Sequence, residues 1–228
     1  MTIPQSSAKA LSPTERTRLN RLPDRGSYDV DTINAILDAQ PLAHLASVVN
    51  GAPHLVPVLQ WRIDDRVYWH GAPASAKNRT ALNQEISLCV SLLDGFVMAR
   101  SAFHHSVNYR SVVLYGQAEP IVEPAAREAA LRHLLEHLYP GRWDEVRPIA
   151  DGEVRATAVL SLPIREGSAK LRTGQPKDDA DDYALPIWAG IVPVQMVTGT
   201  PLPDPRNRPE TPVSPAVRAF AGKPLLSR

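Results

Sequence analysis

Residues 56–82 read VPVLQWRIDDRVYWHGAPASAKNRTAL. Side chains alternate between two faces from Val56 to Ile63, Asp64-Asp65 interrupts the pattern, and Arg66 to His70 resumes it. A strand repeats every two residues, and a pair of turn residues joins two adjacent strands, so this pattern predicts a β-hairpin. We expect the rest of the chain to be arranged around this hairpin.

The segment after the hairpin has the composition of an anion site. Gly71-Ala72-Pro73-Ala74 would let the backbone approach a ligand closely, and Ser75 is placed to cap a helix that carries Lys77 and Arg79. A helix N-terminus offers unpaired N–H groups and the positive end of the helix dipole, which stabilise a phosphate. An ordinary capped helix with solvated cations fits the same spacing.

The composition limits the classes of partner. The 228 residues contain 25 Lys and Arg against 24 Asp and Glu, so no net field would attract nucleic acid or an anionic membrane. The most apolar window, 184–197, contains two prolines and is shorter than a membrane-spanning helix. The first residues lack an apolar signal core, and the single Cys89 is expected to be a thiol in the core. We therefore expect a cytoplasmic protein without a membrane segment or a metal site.

Other segments predict further strands and helices. Asp29 precedes an amphipathic helix that ends near Gln40-Pro41, and Asn50-Gly51 joins two strand-like runs, 42–49 and 53–61. An apolar run, 86–93, is predicted to be a buried strand that ends at Asp94-Gly95. A strand is predicted to start at about Tyr109, a helix to cover 124–139, and another strand to cover 153–164.

Three motifs, in this order, resemble the pyridoxamine 5'-phosphate oxidase-like FMN-binding split barrels, in particular the flavin-nucleotide-binding or nitroimidazole-resistance-type branch. The motifs are the Ser-x-Lys-x-Arg of Ser75 to Arg79, the segment FHHSVNYRSVV of residues 103–113, and SAKLRTG of residues 168–174 with the later DD and PIWAG. The similarity extends from Tyr28 to about Pro205. It implies a mainly β fold, an antiparallel six-stranded split β-barrel with peripheral helices, and a homodimer with a flavin at the subunit interface.

The resemblance also implies the site residues. It assigns flavin contacts to the hairpin, to the helix start, and to two later strands, of which the one with Arg110 and Ser111 would serve the flavin of the facing subunit. The implied cofactor-binding residues are Val58, Leu59, Gln60, Trp69, His70, Gly71, Ser75, Lys77, Arg79, Arg110, Ser111, Lys170 and Arg172. For Lys170 and Arg172, surface ion pairs with the acidic run 178–182 are an equally good interpretation.

The implied function is FMN-dependent oxidoreduction of a small organic molecule, with reduction of a nitro compound as one example and His70 as the catalytic proton donor. FAD or a deazaflavin could replace FMN. The chain departs from true pyridoxamine-phosphate oxidases because its C-terminal segment is rich in proline rather than in basic residues. The alternative is a non-enzymatic carrier or sensor of flavin or haem on the same barrel, with His70, His104 or His105 as the iron ligand.

Three regions are predicted from these patterns. Residues 1–26 form an N-terminal arm, residues 27–200 form the FMN-binding split-barrel domain, and residues 201–228 form a tail with many prolines.

Overall fold

A computed structural model describes residues 10–225, and this part of the chain contains one antiparallel sheet of ten strands. The strand order is β1-β9-β6-β5-β2-β3-β4-β8-β7, and β10 pairs with β5. The strands are β1 (Gly26–Ser27), β2 (Leu42–Val49), β3 (Ala52–Ile63), β4 (Arg66–Gly71), β5 (Ile86–Met98), β6 (Ser106–Gly116), β7 (Glu119–Pro120), β8 (Ala158–Pro163), β9 (Glu166–Arg172) and β10 (Gly190–Pro193). The mainly β antiparallel prediction is confirmed. The sheet does not close on itself, and it has more strands than the predicted six.

Five helices accompany the sheet in the described residues: α1 (Val30–Asp38), α2 (Ala76–Asn83), α3 (Pro124–Leu138), α4 (Asp151–Ala156) and α5 (Pro215–Phe220). Asp29 caps α1 by accepting a hydrogen bond from Thr32 N, as its sequence position predicts. None of the helices in residues 10–225 has the length and hydropathy needed to cross a bilayer. The division into arm, domain and tail stays a prediction.

The main core lies on one face of the sheet. Every second residue of the central strands faces this core, and α1 adds Ile33, Ile36 and Leu37, all of which are fully buried. Trp69 and Val67 of β4 also point into this core. Burial of so many apolar side chains is the main favourable contribution to the stability of the barrel. We call this face the inner face.

The opposite, outer face is divided into two parts. Helix α3 covers the end of β3 together with β4 and β8, where Trp61 packs against Ala130, Leu134 and Leu138. Strands β2, β3, β5, β6 and β10 have no such cover in the described residues. The uncovered side chains there include Leu42, Val48, Leu55, Leu59, Leu93, Phe96, Val107 and Val192. We call this second part the uncovered outer face.

Two predicted boundaries are wrong. The strand predicted for 153–164 begins only at Ala158, because Asp151–Ala156 form the helix α4. The Glu153 carboxylate stabilises the start of this helix by accepting hydrogen bonds from Ala150 N and Arg147. Strand β5 does not end at Asp94-Gly95 but continues to Met98 across a bulge. Gly95 permits this course, since a Cβ there would lie 3.0 Å from the Val192 carbonyl oxygen of β10.

Two further expectations differ from the structure. Cys89 belongs to the outward-pointing residues of β5 and is only half-buried, so it is not part of the core, although burial still raises the pKa of its thiol. Strand β6 starts at Ser106, three residues before the predicted Tyr109. In the C-terminal segment, where no regular structure was expected, Ser214 caps α5 and Ala216 is buried.

Candidate functional site

The hairpin and helix that the sequence predicts at residues 56–82 form as expected. Asp64 has a positive φ of 52° in the turn between β3 and β4, and β4 ends at Gly71. The Ser75 hydroxyl accepts a hydrogen bond from Asn78 N at 3.3 Å and so caps α2. Gly71 leaves room for two side chains of α2, because a Cβ at this position would lie 3.2 Å from both Lys77 Cε and Asn78 Nδ2 and would displace them slightly.

Three of the predicted phosphate ligands therefore lie together at the start of α2. The Lys77 ammonium is half-buried and donates a hydrogen bond to the carbonyl oxygen of His70 at 3.2 Å. Burial lowers the pKa of Lys77, so an anion beside it would be stabilised more strongly than at a fully hydrated lysine. Arg79 is exposed and donates to the Ala74 carbonyl oxygen. We call Gly71, Ser75, Lys77 and the first turn of α2 the α2 cradle.

The later predicted ligands form a second group on another part of the sheet. The register places Ser111 of β6 opposite Lys170 of β9, and Tyr109 opposite Arg172, so Ser111, Lys170 and Arg172 point to the same side. This side is the outer face, because Ser111 also pairs with exposed Ser91 of β5. The Arg172 guanidinium reaches round the end of the sheet and donates to Asn108 Oδ1 at 2.5 Å, although Asn108 is on the other side of β6 from Ser111. The acidic run 178–182 does not hold these cations, since Asp178 pairs with Arg100.

Arg110 does not belong to this second group. It points to the opposite side of β6 from Ser111, and its guanidinium forms a bidentate pair with Asp94, at 2.8 and 2.9 Å, that raises the pKa of Arg110. Within this chain Arg110 therefore already has a carboxylate partner. It does not lie beside Ser111, and its contact with the flavin of a facing subunit stays a prediction.

The predicted hairpin contacts divide between the two faces. The side chains of Val58, Gln60 and Trp69 are buried against the inner face and are not open to a ligand. Gln60 Nε2 donates to the carbonyl oxygen of Leu37 at 2.7 Å and thereby fixes the end of α1. Leu59 points to the uncovered outer face, where it pairs with Leu42.

His70 lies on the outer face of β4, beneath α3, and not on the side of the buried Trp69. Its imidazole lines a cleft of about 550 Å³ between β4, α3 and the segment 143–157. The other residues that line this cleft are mostly apolar: Leu131, Leu134, Leu135, Trp143, Val146, Arg147, Ile149, Glu153 and Thr157. We call it the His70 cleft. Its volume is typical of a small-molecule or cofactor pocket.

The imidazole of His70 has one nitrogen without a hydrogen-bond partner in residues 10–225. Its Nδ1 atom is buried and has no hydrogen-bond partner in the described residues, and the ring lies 6.0 Å from the Trp61 indole, centroid to centroid. Burial, and then the charge of Lys77, lower the pKa of His70 below its ordinary value. The imidazole is therefore neutral near neutral pH, which is the form that binds metal ions.

The other two histidines that the sequence offered as iron ligands lie elsewhere. His104 Nε2 is 3.4 Å from Asp179 Oδ2, and His105 Nδ1 is 2.9 Å from the Ser101 carbonyl oxygen. Neither lines the His70 cleft. Among residues 10–225 no group of three His, Cys, Asp or Glu side chains is placed to hold a free metal ion.

Sequence reasoning did not find the cleft residues that come from α3 and from the segment 143–157. The signal for them was present in two places. Trp61, Tyr68 and His70 fall on one side of the hairpin, and α3 carries four closely spaced leucines, Leu131, Leu134, Leu135 and Leu138.

Comparison with known proteins supports this architecture. Residues 29–171 match the family model described as pyridoxamine 5'-phosphate oxidase. The chain belongs to this family. A search of curated proteins found no match.

Among solved structures, the flavocytochrome Anf3 from Azotobacter vinelandii is 45% identical, with a TM-score of 0.86 over 93% of this chain and 100% of that one. An FAD and haem binding protein from Mycobacterium smegmatis is 34% identical, with a TM-score of 0.83 over 90% of this chain and 100% of that one. A putative 5-nitroimidazole antibiotic resistance protein from Bacteroides thetaiotaomicron is 20% identical, with a TM-score of 0.55 over 64% of this chain and 86% of that one. It shares the fold.

Proposed function

We propose that this chain is a two-cofactor redox protein that binds a flavin nucleotide at the α2 cradle and a haem in the His70 cleft. The observation that carries the proposal is the placement of a neutral histidine, with a buried and unpartnered Nδ1, in a mostly apolar cleft of cofactor size. The names of the two relatives that match nearly the whole chain, a flavocytochrome and an FAD and haem binding protein, support it independently.

The chain's own residues fit a haem in the cleft. His70 is the only histidine, cysteine or methionine among the described residues that line it, so it would be the iron ligand. Leucines and Val146 would contact the apolar part of the macrocycle. Arg147, which pairs with Glu153 at 2.5 Å at the edge of the cleft, offers a cation for a propionate. When bound, a haem exchanges single electrons, whereas a flavin exchanges one or two.

The residues of the α2 cradle fit the phosphate of the flavin. Lys77, the Ser75 hydroxyl and the N–H groups of the first α2 turn would hold it, and Leu59 with the main chain of β3 would lie along the ring system. FMN was predicted from the sequence, while one relative binds FAD by name. The mass of the flavin released on denaturation distinguishes FMN, FAD and a deazaflavin.

The flavin site would be completed by a second copy of the chain. Along the sheet, β4 beside the α2 cradle is separated from β6 by β3, β2 and β5, so Ser111 of β6 and the cations of β9 do not lie beside the cradle within the sheet. The uncovered outer face between them is rich in exposed leucine and valine. Two such faces packed together would bury these side chains and bring Ser111, Lys170 and Arg172 of one copy towards the cradle of the other.

The sequence-based proposal that His70 is a catalytic proton donor to a small organic substrate is less well supported than its role as a ligand. The lowered pKa of His70 leaves little of the protonated imidazole at neutral pH. Oxidoreduction of a small molecule remains compatible with a flavin and a haem, but the donor of its proton would be another group or water.

The spectrum of the purified protein, reconstituted with hemin if needed, tests the proposal. We expect a Soret band together with the two flavin bands. His70→Ala should abolish the Soret band and leave the flavin in place. The matched control is His54→Ala, because His54 also has a buried Nδ1 without a partner in the described residues but lies outside the cleft. Full haem retention by His70→Ala, or no haem uptake by the wild type, would contradict the assignment.

A further inference from the structure

A second cavity, of about 580 Å³, lies between the C-terminal half of α3 and α5. Its wall is almost entirely apolar, with Leu135, Tyr139, Val146, Val217 and Phe220 as the main contributors. An open apolar cavity of several hundred Å³ has the size and composition typical of small-molecule sites. A cavity of this size and composition therefore requires an explanation.

Polar contacts tie α5 to the neighbouring segments at both of its ends. The Glu145 carboxylate accepts a hydrogen bond from Ala216 N at 2.9 Å, and Arg142 Nη1 donates to Ser214 Oγ at 3.1 Å. Ser214, Ala216 N and Arg142 all lower the pKa of Glu145, so this link stays charged at neutral pH. At the other end, Thr198 Oγ1 donates to the Phe220 carbonyl oxygen at 2.7 Å. Because both ends of α5 are fixed, the helix does not collapse onto α3.

The wall also indicates the class of ligand. The rings of Tyr139 and Phe220 stand edge to face with centroids 5.2 Å apart, and both contribute aromatic surface to the wall of the cavity. Arg142 lies at the edge of the cavity, and its hydrogen bonds to the side chains of described residues use Nη1 alone. A guanidinium has five N–H donors, so Nε and Nη2 can still donate to a ligand oxygen.

We propose that this cavity is a binding site for a neutral, flat ring compound that carries a carbonyl oxygen at one edge, the chemical class of aromatic ketones and quinones. The rings and aliphatic side chains contact the flat body of the ligand, and Arg142 donates to its carbonyl. The site is distinct from the His70 cleft, because His70 does not line it, although Leu135 and Val146 contribute to both walls. The inference does not depend on either cofactor.

The test measures binding of 9-fluorenone and of fluorene, its hydrocarbon counterpart, to the protein as purified, by equilibrium dialysis. We expect one saturable fluorenone site per chain and about tenfold weaker binding of fluorene, because the hydrocarbon lacks the acceptor for Arg142. Val217→Trp fills the cavity and should weaken fluorenone binding by more than about tenfold. Ala219→Trp, on the exposed side of α5, is the matched control and should bind as the wild type does.

A second filling variant guards against misfolding of α5. Gly199 also lines the cavity, and a Cβ placed there meets no atom within 4 Å, so Gly199→Leu should fold normally and still reduce fluorenone binding. The proposal is overturned if the wild type shows no saturable binding. It is also overturned if Val217→Trp or Gly199→Leu, with a melting temperature like that of Ala219→Trp, binds fluorenone as tightly as that control.

Discussion

Lys77→Ala should separate the binding of the flavin phosphate from the binding of the flavin ring. The half-buried ammonium has three donors, one of which the His70 carbonyl oxygen accepts, so two remain for a phosphate. The change removes one charge-assisted contact, worth about 1.5–3 kcal/mol, and leaves the Ser75 cap and the α2 N–H groups in place. FMN affinity should fall by about tenfold to hundredfold.

The assay is a fluorescence titration of the cofactor-free protein with FMN and with riboflavin, which lacks the phosphate. Riboflavin binding should hardly change in Lys77→Ala. Lys177→Ala, which removes an exposed lysine from the segment after β9, is the control for net charge and should alter neither affinity. An equal loss for FMN and riboflavin, or no loss for either, would refute the placement of the phosphate at the α2 cradle.

Two further predictions concern assembly and pH. Leu55→Lys places a charge on the uncovered outer face, where Leu55 is 62% exposed, and should convert the dimer to a monomer, as measured by light scattering. Val122, just before α3, is similarly exposed, and Val122→Lys should leave the dimer intact. A monomeric wild type would contradict the proposed dimer. Hydrogen bonds, first from Arg16 and then from Thr14, lower the pKa of Glu166 to about 2 in the folded protein. The stabilisation that this carboxylate provides is therefore complete above its unfolded-state pKa of 4.5 and is lost as the pH falls from there towards 2. Urea unfolding at pH 6 and pH 3 should therefore show a smaller acid-induced loss for Glu166→Gln than for the wild type, and an equal loss in both would exclude Glu166 as a source of this pH dependence.

The parts of the fold that local chemistry determines could be predicted from the sequence. The Asn50-Gly51 turn joins β2 and β3 because both residues adopt the positive φ that a tight hairpin requires, 51° and 77°. Asp29 and Ser75 cap α1 and α2 because their side chains reach the N–H group three residues on. The Ser75 cap and the position of Lys77 in the first turn of α2 were therefore predicted correctly, whereas the binding of a phosphate there stays a proposal.

Features that depend on distant segments could not be predicted. The strand expected from Glu153 begins late because Arg147 and Ala150 hold the Glu153 carboxylate, an interaction that alternation of side chains does not reveal. The extension of β5 past Gly95 needs β10, which lies almost a hundred residues later in the chain. The His70 cleft requires α3 to cross β4, so His70 could be chosen from the sequence but its neighbours could not.

The hydrogen bond from Lys77 to the main chain of His70 links the two proposed cofactor sites, because His70 contributes to both of them. The carbonyl oxygen of His70 holds the cation of the α2 cradle, while its imidazole faces the cleft under α3. A phosphate that draws the ammonium towards itself also changes the field that lowers the pKa of this imidazole. Coupled binding is reciprocal, so if the flavin changes the affinity for haem by some factor, the haem changes the affinity for flavin by the same factor. Strand β4, which carries His70, would transmit this coupling.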